Sequence, residues 1–316
     1  MDKWQRIANI VNQNGTLKAP NLQRQFTLLW LSRLLTENIF IFLFQYSGLM
    51  LSQLTSSPSL LWFASGTAVG FMYLRGYRIM SGIWLGSFLA YYFANSGIIL
   101  ASSCATVITL QAFLIVSLNF CLVGPTLVFY RLSLMIKFFM NVAAITAFSS
   151  LLLVMLCYNA IPSTMSREIM GLQWWLANLN GVLIFAMAIV TWDMYFPQIA
   201  AMQKLGKVRL CAMYATLLAV VIASSVSDTL FITILCGSFA LLLILLISSL
   251  YGWCGAIFAL FIVGGLLTVV KKFQLPLLAT KDGLGLLFFW QGLLIVALLF
   301  GLTIAIRERQ EGLRGS

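Results

Sequence analysis

The side chains here that could do chemistry are amides and hydroxyls rather than acids and bases. Among 316 residues there is no histidine, and only 8 are Asp or Glu. The commonest general base and metal ligand is therefore missing. Six cysteines (Cys104, Cys121, Cys157, Cys211, Cys236 and Cys254) stand singly in apolar runs. None forms a C-x-x-C pair, so neither a zinc site nor a redox couple is indicated, and they read as buried, inert thiols. A serine nucleophile would want a histidine, a metalloprotease its zinc-binding run, and a phosphate loop more than Gly283-Leu-Gly285. The expectation is no enzyme, no cofactor and no metal. What remains is recognition by hydrogen bonding.

The densest group of such residues is Leu172-Gln-Trp-Trp-Leu-Ala-Asn-Leu-Asn-Gly181. Trp174 and Trp175 suit the aromatic belt of a membrane surface. Asn178 and Asn180 lie deeper, where an unpaired amide costs free energy. They serve either as glue between helices, at about 0.6–2 kcal/mol per contact, or as the lining of a polar pocket near the outer leaflet. Gln111, Asn119 and Gln291 also fall at membrane depth. Two small-residue pairs, Gly66/Gly70 and Gly82/Gly86 (with Ala90 extending the second), are each one helical turn apart. Glycine there lets helix backbones meet closely or lines a cleft. The short basic turn Leu74-Arg-Gly-Tyr-Arg78 predicts that the helices carrying these pairs form an antiparallel hairpin. Glu37, four residues after Arg33, predicts an ion pair. Asp193 closes a span and meets water.

The elements that must hold these residues follow from composition. The chain is 61% hydrophobic and 9% charged, with a mean hydropathy of +0.99, whereas soluble domains are about 45–50% apolar and about 25% charged. A membrane helix needs about 20 apolar residues. Spans are expected at about 27–53, 59–74, 79–97, 102–124, 137–158, 173–193, 211–227, 229–249, 253–270 and 284–306, with 211–270 the hardest region to divide. The fold class is therefore all-α and polytopic, with about ten (eight to ten) transmembrane helices. A soluble enzyme and a single-pass receptor are excluded. With the amino terminus inside, Lys and Arg fall overwhelmingly on the inner side, and only Arg167, Lys271, Lys272 and Lys281 fall outside. An even number of spans and two cytoplasmic termini follow. The net charge of +11 is thus an orientation signal, and nucleic acid is not an expected partner. Residues 1–25 read as a cytoplasmic arm without a cleaved signal, 26–306 as one transmembrane domain, and 307–316 as a cytoplasmic tail too short to fold.

Three blocks resemble one known family. Leu61-Trp62-Phe-Ala-Ser65-Gly66-Thr-Ala68 is similar to the W-P-P-S-G-I-A signature of the bacterial membrane-associated sensor domain of the first type. Arg78-Ile-Met-Ser-Gly82-Ile-Trp-Leu-Gly86-Ser87-Phe-Leu-Ala90 resembles its R-x-W-P-G-I-x-L-G-S-F-L. Trp174-Trp175-Leu176-Ala-Asn-Leu-Asn-Gly181-Val-Leu183 resembles its W-W-L-G-D-x-x-G-x-L. Phe63 and Ala64 replace both prolines of the first block, Ala177-Asn178 replaces Gly-Asp, and Gln111 stands where the family carries an acid. The resemblance implies a sensory module in the bacterial inner membrane, set before a cytoplasmic histidine kinase or cyclic-di-GMP enzyme domain, or signalling through a partner membrane protein. The expected function is to bind a small ligand or such a partner and regulate signalling without catalysis. The alternative is a transporter or its substrate-binding component, against which stand the lack of an internal repeat and of broken, proline-rich helices. The candidate ligand-binding residues are Trp62, Ser65, Gly66, Gly82, Gly86, Gln111, Trp174, Trp175, Asn178 and Asn180.

Overall fold

In a bilayer every backbone amide must be paired within the protein, so long apolar runs of this kind become helices. The structure, a computed structural model, describes residues 19–53, 61–94, 97–124, 131–157, 166–193, 207–226, 230–272 and 283–314. Among these, every regular element is helical. In chain order they are α1 (Ala19–Gln53), α2 (Phe63–Arg75), α3 (Met80–Phe93), α4 (Ile98–Leu122) and α5 (Leu132–Cys157). There follow α6 (Arg167–Asp193), α7 (Lys207–Val226), α8 (Leu230–Lys272) and α9 (Gly283–Arg314).

Each expected span coincides with one of these helices or with an arm of one. Among the described residues five segments are long and apolar enough to cross a membrane: α4, α5, α6, Phe231–Gly252 in α8 and Leu287–Arg307 in α9. The chain is a multi-pass α-helical membrane protein. By contrast α2 and α3, with 13 and 14 residues, reach only about 20 Å at a rise of about 1.5 Å per residue, short of a hydrocarbon core of about 30 Å. The region that was hardest to divide contains one break. At Gly252 (φ 66°, ψ −165°) the backbone adopts a conformation open essentially to glycine alone, and α8 splits into two arms there. At the ends, the chain is already helical from Ala19 and remains so through Arg314.

The distribution of side chains is that of a protein solvated by lipid. Leu35, Met140, Phe148, Met155, Phe231, Leu242 and Phe300 are exposed, while Gln45, Ser87, Gln111, Asn119, Asn178, Asn180 and Gln291 are buried. An apolar exterior of this extent is untenable in water and favourable against acyl chains. Within the bundle α1 packs on α2 and α3, and α4 on α2, α3 and α5. Helix α6 joins α5, α2 and α9, and α8 packs on both α7 and α9. Helix α6 is therefore where the two parts of the bundle meet.

Candidate functional site

Helix α6 opens on a side-chain cap. The Ser166 hydroxyl accepts the Ile169 amide at 3.4 Å, and Glu168 lies in the first turn, where the helix dipole favours a negative charge. Fourteen residues later, at Gly181–Ala186, the helix widens into a π segment. This is where α2 docks. A Cβ on Gly66 would collide with the Gly181 carbonyl, and one on Gly181 would collide with the Trp62 carbonyl. With both side chains reduced to hydrogen the backbones touch, and the Trp62 amide donates to the Ala177 carbonyl at 3.0 Å. The Trp62 indole then meets Trp174 edge to face, with ring centroids 5.7 Å apart.

Asn178 and Asn180 leave this contact on different faces. Asn178 belongs to a chain of polar groups crossing four helices. The Ser65 hydroxyl of α2 donates to Asn178 Oδ1, and Asn178 Nδ2 donates to the Ser150 hydroxyl of α5 at 2.9 Å. The neighbouring Ser149 hydroxyl donates to Gln111 Oε1 on α4. Both Asn178 side-chain atoms are partnered, and the residue is 1% exposed. Trp175 is engaged as well, its indole N–H donating to the Ala143 carbonyl at 3.0 Å.

The other face of α6 is unsatisfied. Asn180 Nδ2 donates to the Gln291 carbonyl of α9 at 3.2 Å, but Asn180 Oδ1 has no partner. Two turns earlier, Gln173 is 0% exposed, and neither atom of its amide is hydrogen-bonded. The Trp62 indole N–H between these levels, and the Trp290 N–H on α9, are also buried without partners. Buried polar groups are nearly always paired, to protein or to something else, so each of these atoms calls for an occupant or ordered water. Gln173 and Asn180, seven residues apart, are about 10 Å apart along the axis. None of these side chains carries a charge, and between them they offer both donors and acceptors.

The structure thus brings Trp62, Ser65, Gly66, Trp174, Trp175, Asn178 and Asn180 to one place and ties Gln111 to it through Ser149 and Ser150. Gly82 and Gly86 are elsewhere: a short turn joins α2 to α3, but the two glycine pairs face different helices. The connection is as short as expected, closed by Gly76 (φ 75°), whose amide donates to the Met72 carbonyl at 2.8 Å. Yet α3 turns its glycines to α1, where a Cβ on Gly82 would lie 2.6 Å from the Asn38 carbonyl and one on Gly86 2.8 Å from that of Phe42. The reason is a set of polar groups on α1 that spacing within α2 and α3 does not show. Asn38 accepts from the Gly82 amide and the Ser81 hydroxyl, both at 2.8 Å, and so caps α3 from another helix. Asn38 also donates to the Arg78 carbonyl at 3.1 Å, and Gln45 donates to the Ser87 hydroxyl at 2.9 Å. Glu37 pairs with Arg33 at 3.1 Å, as its spacing predicts, and also with Arg78 at 3.0 Å.

Sequence reasoning passed over Gln173, although it lies inside the Trp174-Trp175 block. Its spacing of four from Ala177 and seven from Asn180, on the face that meets α9, was the available signal. It also separated Cys104 on α4 from Cys157 at the end of α5, whose sulfurs lie 3.3 Å apart. Among the described residues no three His, Cys, Asp or Glu side chains are grouped to hold a metal.

A family model, MASE1, matches residues 34–310. No curated protein and no solved structure matches the chain.

Proposed function

The chain belongs to the MASE1 family of membrane-associated sensor domains, and from that premise we propose how its signal is received. The input is a neutral, hydrogen-bonding small molecule, or a membrane partner presenting such a group, bound on the face of α6 that carries Gln173 and Asn180, beside α9. The observation that carries this reading is the set of buried, unpartnered polar atoms on Trp62, Gln173 and Asn180. An occupant that satisfies them favours one packing of α9 against α6 over another, and only such differential affinity can move an equilibrium. Helix α9 continues from the Asn180 contact through Arg307 to Arg314, so a shift at the site is carried along one rigid element toward a cytoplasmic output domain or partner protein. Asn178, Ser65, Ser150 and Gln111 hold the frame. The setting is the bacterial inner membrane, the residues between about 26 and 306 act as one transmembrane unit with both ends cytoplasmic, and the module performs no catalysis.

Native mass spectrometry of the full chain, released from nanodiscs made from its own membranes, tests this. The expected result is a co-bound small molecule that is lost in Gln173→Met and in Asn180→Leu but retained in Arg33→Ala. A molecule bound equally by all four proteins, or by none, overturns the reading. One observation favours transport instead, the broken helix at Gly252, since discontinuous helices line many transporter sites. Solute uptake into proteoliposomes would decide for transport.

A further inference from the structure

We propose that Cys104 and Cys157 form a dithiol–disulfide couple that reacts with a lipid-soluble quinone and fastens α4 to α5. The two residues are 53 positions apart in sequence, yet their sulfurs lie 3.3 Å from each other, thiol against thiol. A disulfide bond is about 2.05 Å long, so closure asks for a sulfur approach of just over 1 Å. Neither side chain needs to cross the bundle. Cys104 is 0% and Cys157 2% exposed, which keeps water-soluble oxidants and protein thiol oxidases away, and among the described residues no charged side chain is paired with either thiol. Access comes from the lipid side, where Met155 and Leu156 of α5 are exposed, a phase that a quinone enters and a water-soluble oxidant does not.

The chemistry balances with one named co-reactant. Two S–H bonds break and one S–S bond forms. The two electrons and two protons released reduce one quinone to its hydroquinone. A lipid-soluble dithiol returns the pair to its thiols by exchange, its own two S–H bonds giving way to one S–S bond.

The position of the pair gives this bond a consequence. Cys104 lies seven residues before Gln111 on α4, and Cys157 lies eight after Ser149 on α5, so both couples cross the same antiparallel seam two turns apart. One turn further along it, Asn141 donates to the Ile115 carbonyl at 3.0 Å. A covalent link at the Cys104 end holds α5 in the register that lets Ser149 reach Gln111 and Ser150 reach Asn178. Oxidation therefore stiffens the frame of the polar site without touching the face of Gln173 and Asn180. The inference does not depend on that site binding anything.

The test uses the full chain in lipid nanodiscs with an alkyl-tailed benzoquinone substituted at every ring position, so that it accepts electrons and cannot add a thiol. Wild type is expected to yield one equivalent of hydroquinone per chain and a linked Cys104–Cys157 peptide pair lighter by two hydrogens. It should also resist thermal unfolding to a higher temperature than before oxidation. Cys104→Ala and Cys157→Ala should each lose the linked peptide and the hydroquinone, and Cys121→Ala should lose neither. Six free thiols in wild type after exposure to quinone would overturn the proposal, as would linkage through any other cysteine. Because both decisive readouts are made on wild type, poor folding of a variant does not shield it.

Discussion

Asn178 and Asn180 are two residues apart on one helix, equally buried, and opposite in circumstance. Asn178 is held at both side-chain atoms by serines of α2 and α5. Asn180 holds α9 with its nitrogen and leaves its oxygen without a partner, as Gln173 leaves its whole amide on the same face. A saturated amide contributes stability and specifies which helices meet. An unsaturated one costs stability in the empty protein and becomes favourable when something arrives. One helix of this bundle therefore carries structure on one face and the capacity for recognition on the other.

That division can be broken in graded ways. The largest effect belongs to the contact that both faces share. Gly66→Ala sets a methyl against a backbone carbonyl that cannot rotate away, and is expected to cost about 3 kcal/mol or more and to abolish the folded peak in detergent chromatography. Gly292→Ala, with open space around it, should leave that peak intact. Next comes Asn178→Leu, which breaks two hydrogen bonds and strands two serines. A loss of about 1–2 kcal/mol, read as a lowered unfolding temperature in nanodiscs, is expected whether or not an occupant is present. Gln173→Met should act in the opposite direction. Removing an unpaired buried amide while keeping its volume is expected to stabilise the empty protein by about 1 kcal/mol and to eliminate the co-bound molecule. Asn180→Leu should change stability least, by about 0.6 kcal/mol, and still lose the bound molecule. If Gln173→Met lowered the unfolding temperature as Asn178→Leu does, the two faces would not differ and the comparison would fail.

Much of this arrangement was legible before any coordinates. Apolar run lengths located the helices, and the gap left between the expected spans 229–249 and 253–270 falls at the break in α8. The block around Trp174 and Asn178 was also visible as a place where polar groups gather inside an apolar segment. Partner choice was not legible. A glycine stripe says that something approaches closely and not what approaches. Gly66 and Gly82 found different helices because Asn38 and Gln45, distant in sequence, fix α3 to α1 instead. Nor does residue type distinguish a satisfied amide from an unsatisfied one. Asn178 attracted attention for its position in a motif, while Gln173, one residue before the paired tryptophans, carries the greater deficit. The contact between Cys104 and Cys157 was hidden for the same reason, since spacing along a chain measures nothing across a seam.

The π segment at Gly181–Ala186 sets the phase of α6. Its i→i+5 bonds accommodate one residue more than a regular turn, which rotates everything after it by about 100° relative to an unbroken helix. Counting in threes and fours from Gln173 or Asn178 therefore identifies facing residues only as far as Gly181. Beyond it, the buried Thr191 lies on a face that such counting does not reach. Removing a single residue within this turn would act as a crank rather than a truncation, swinging Met187–Asp193 round while the half of α6 that carries the amides keeps its place.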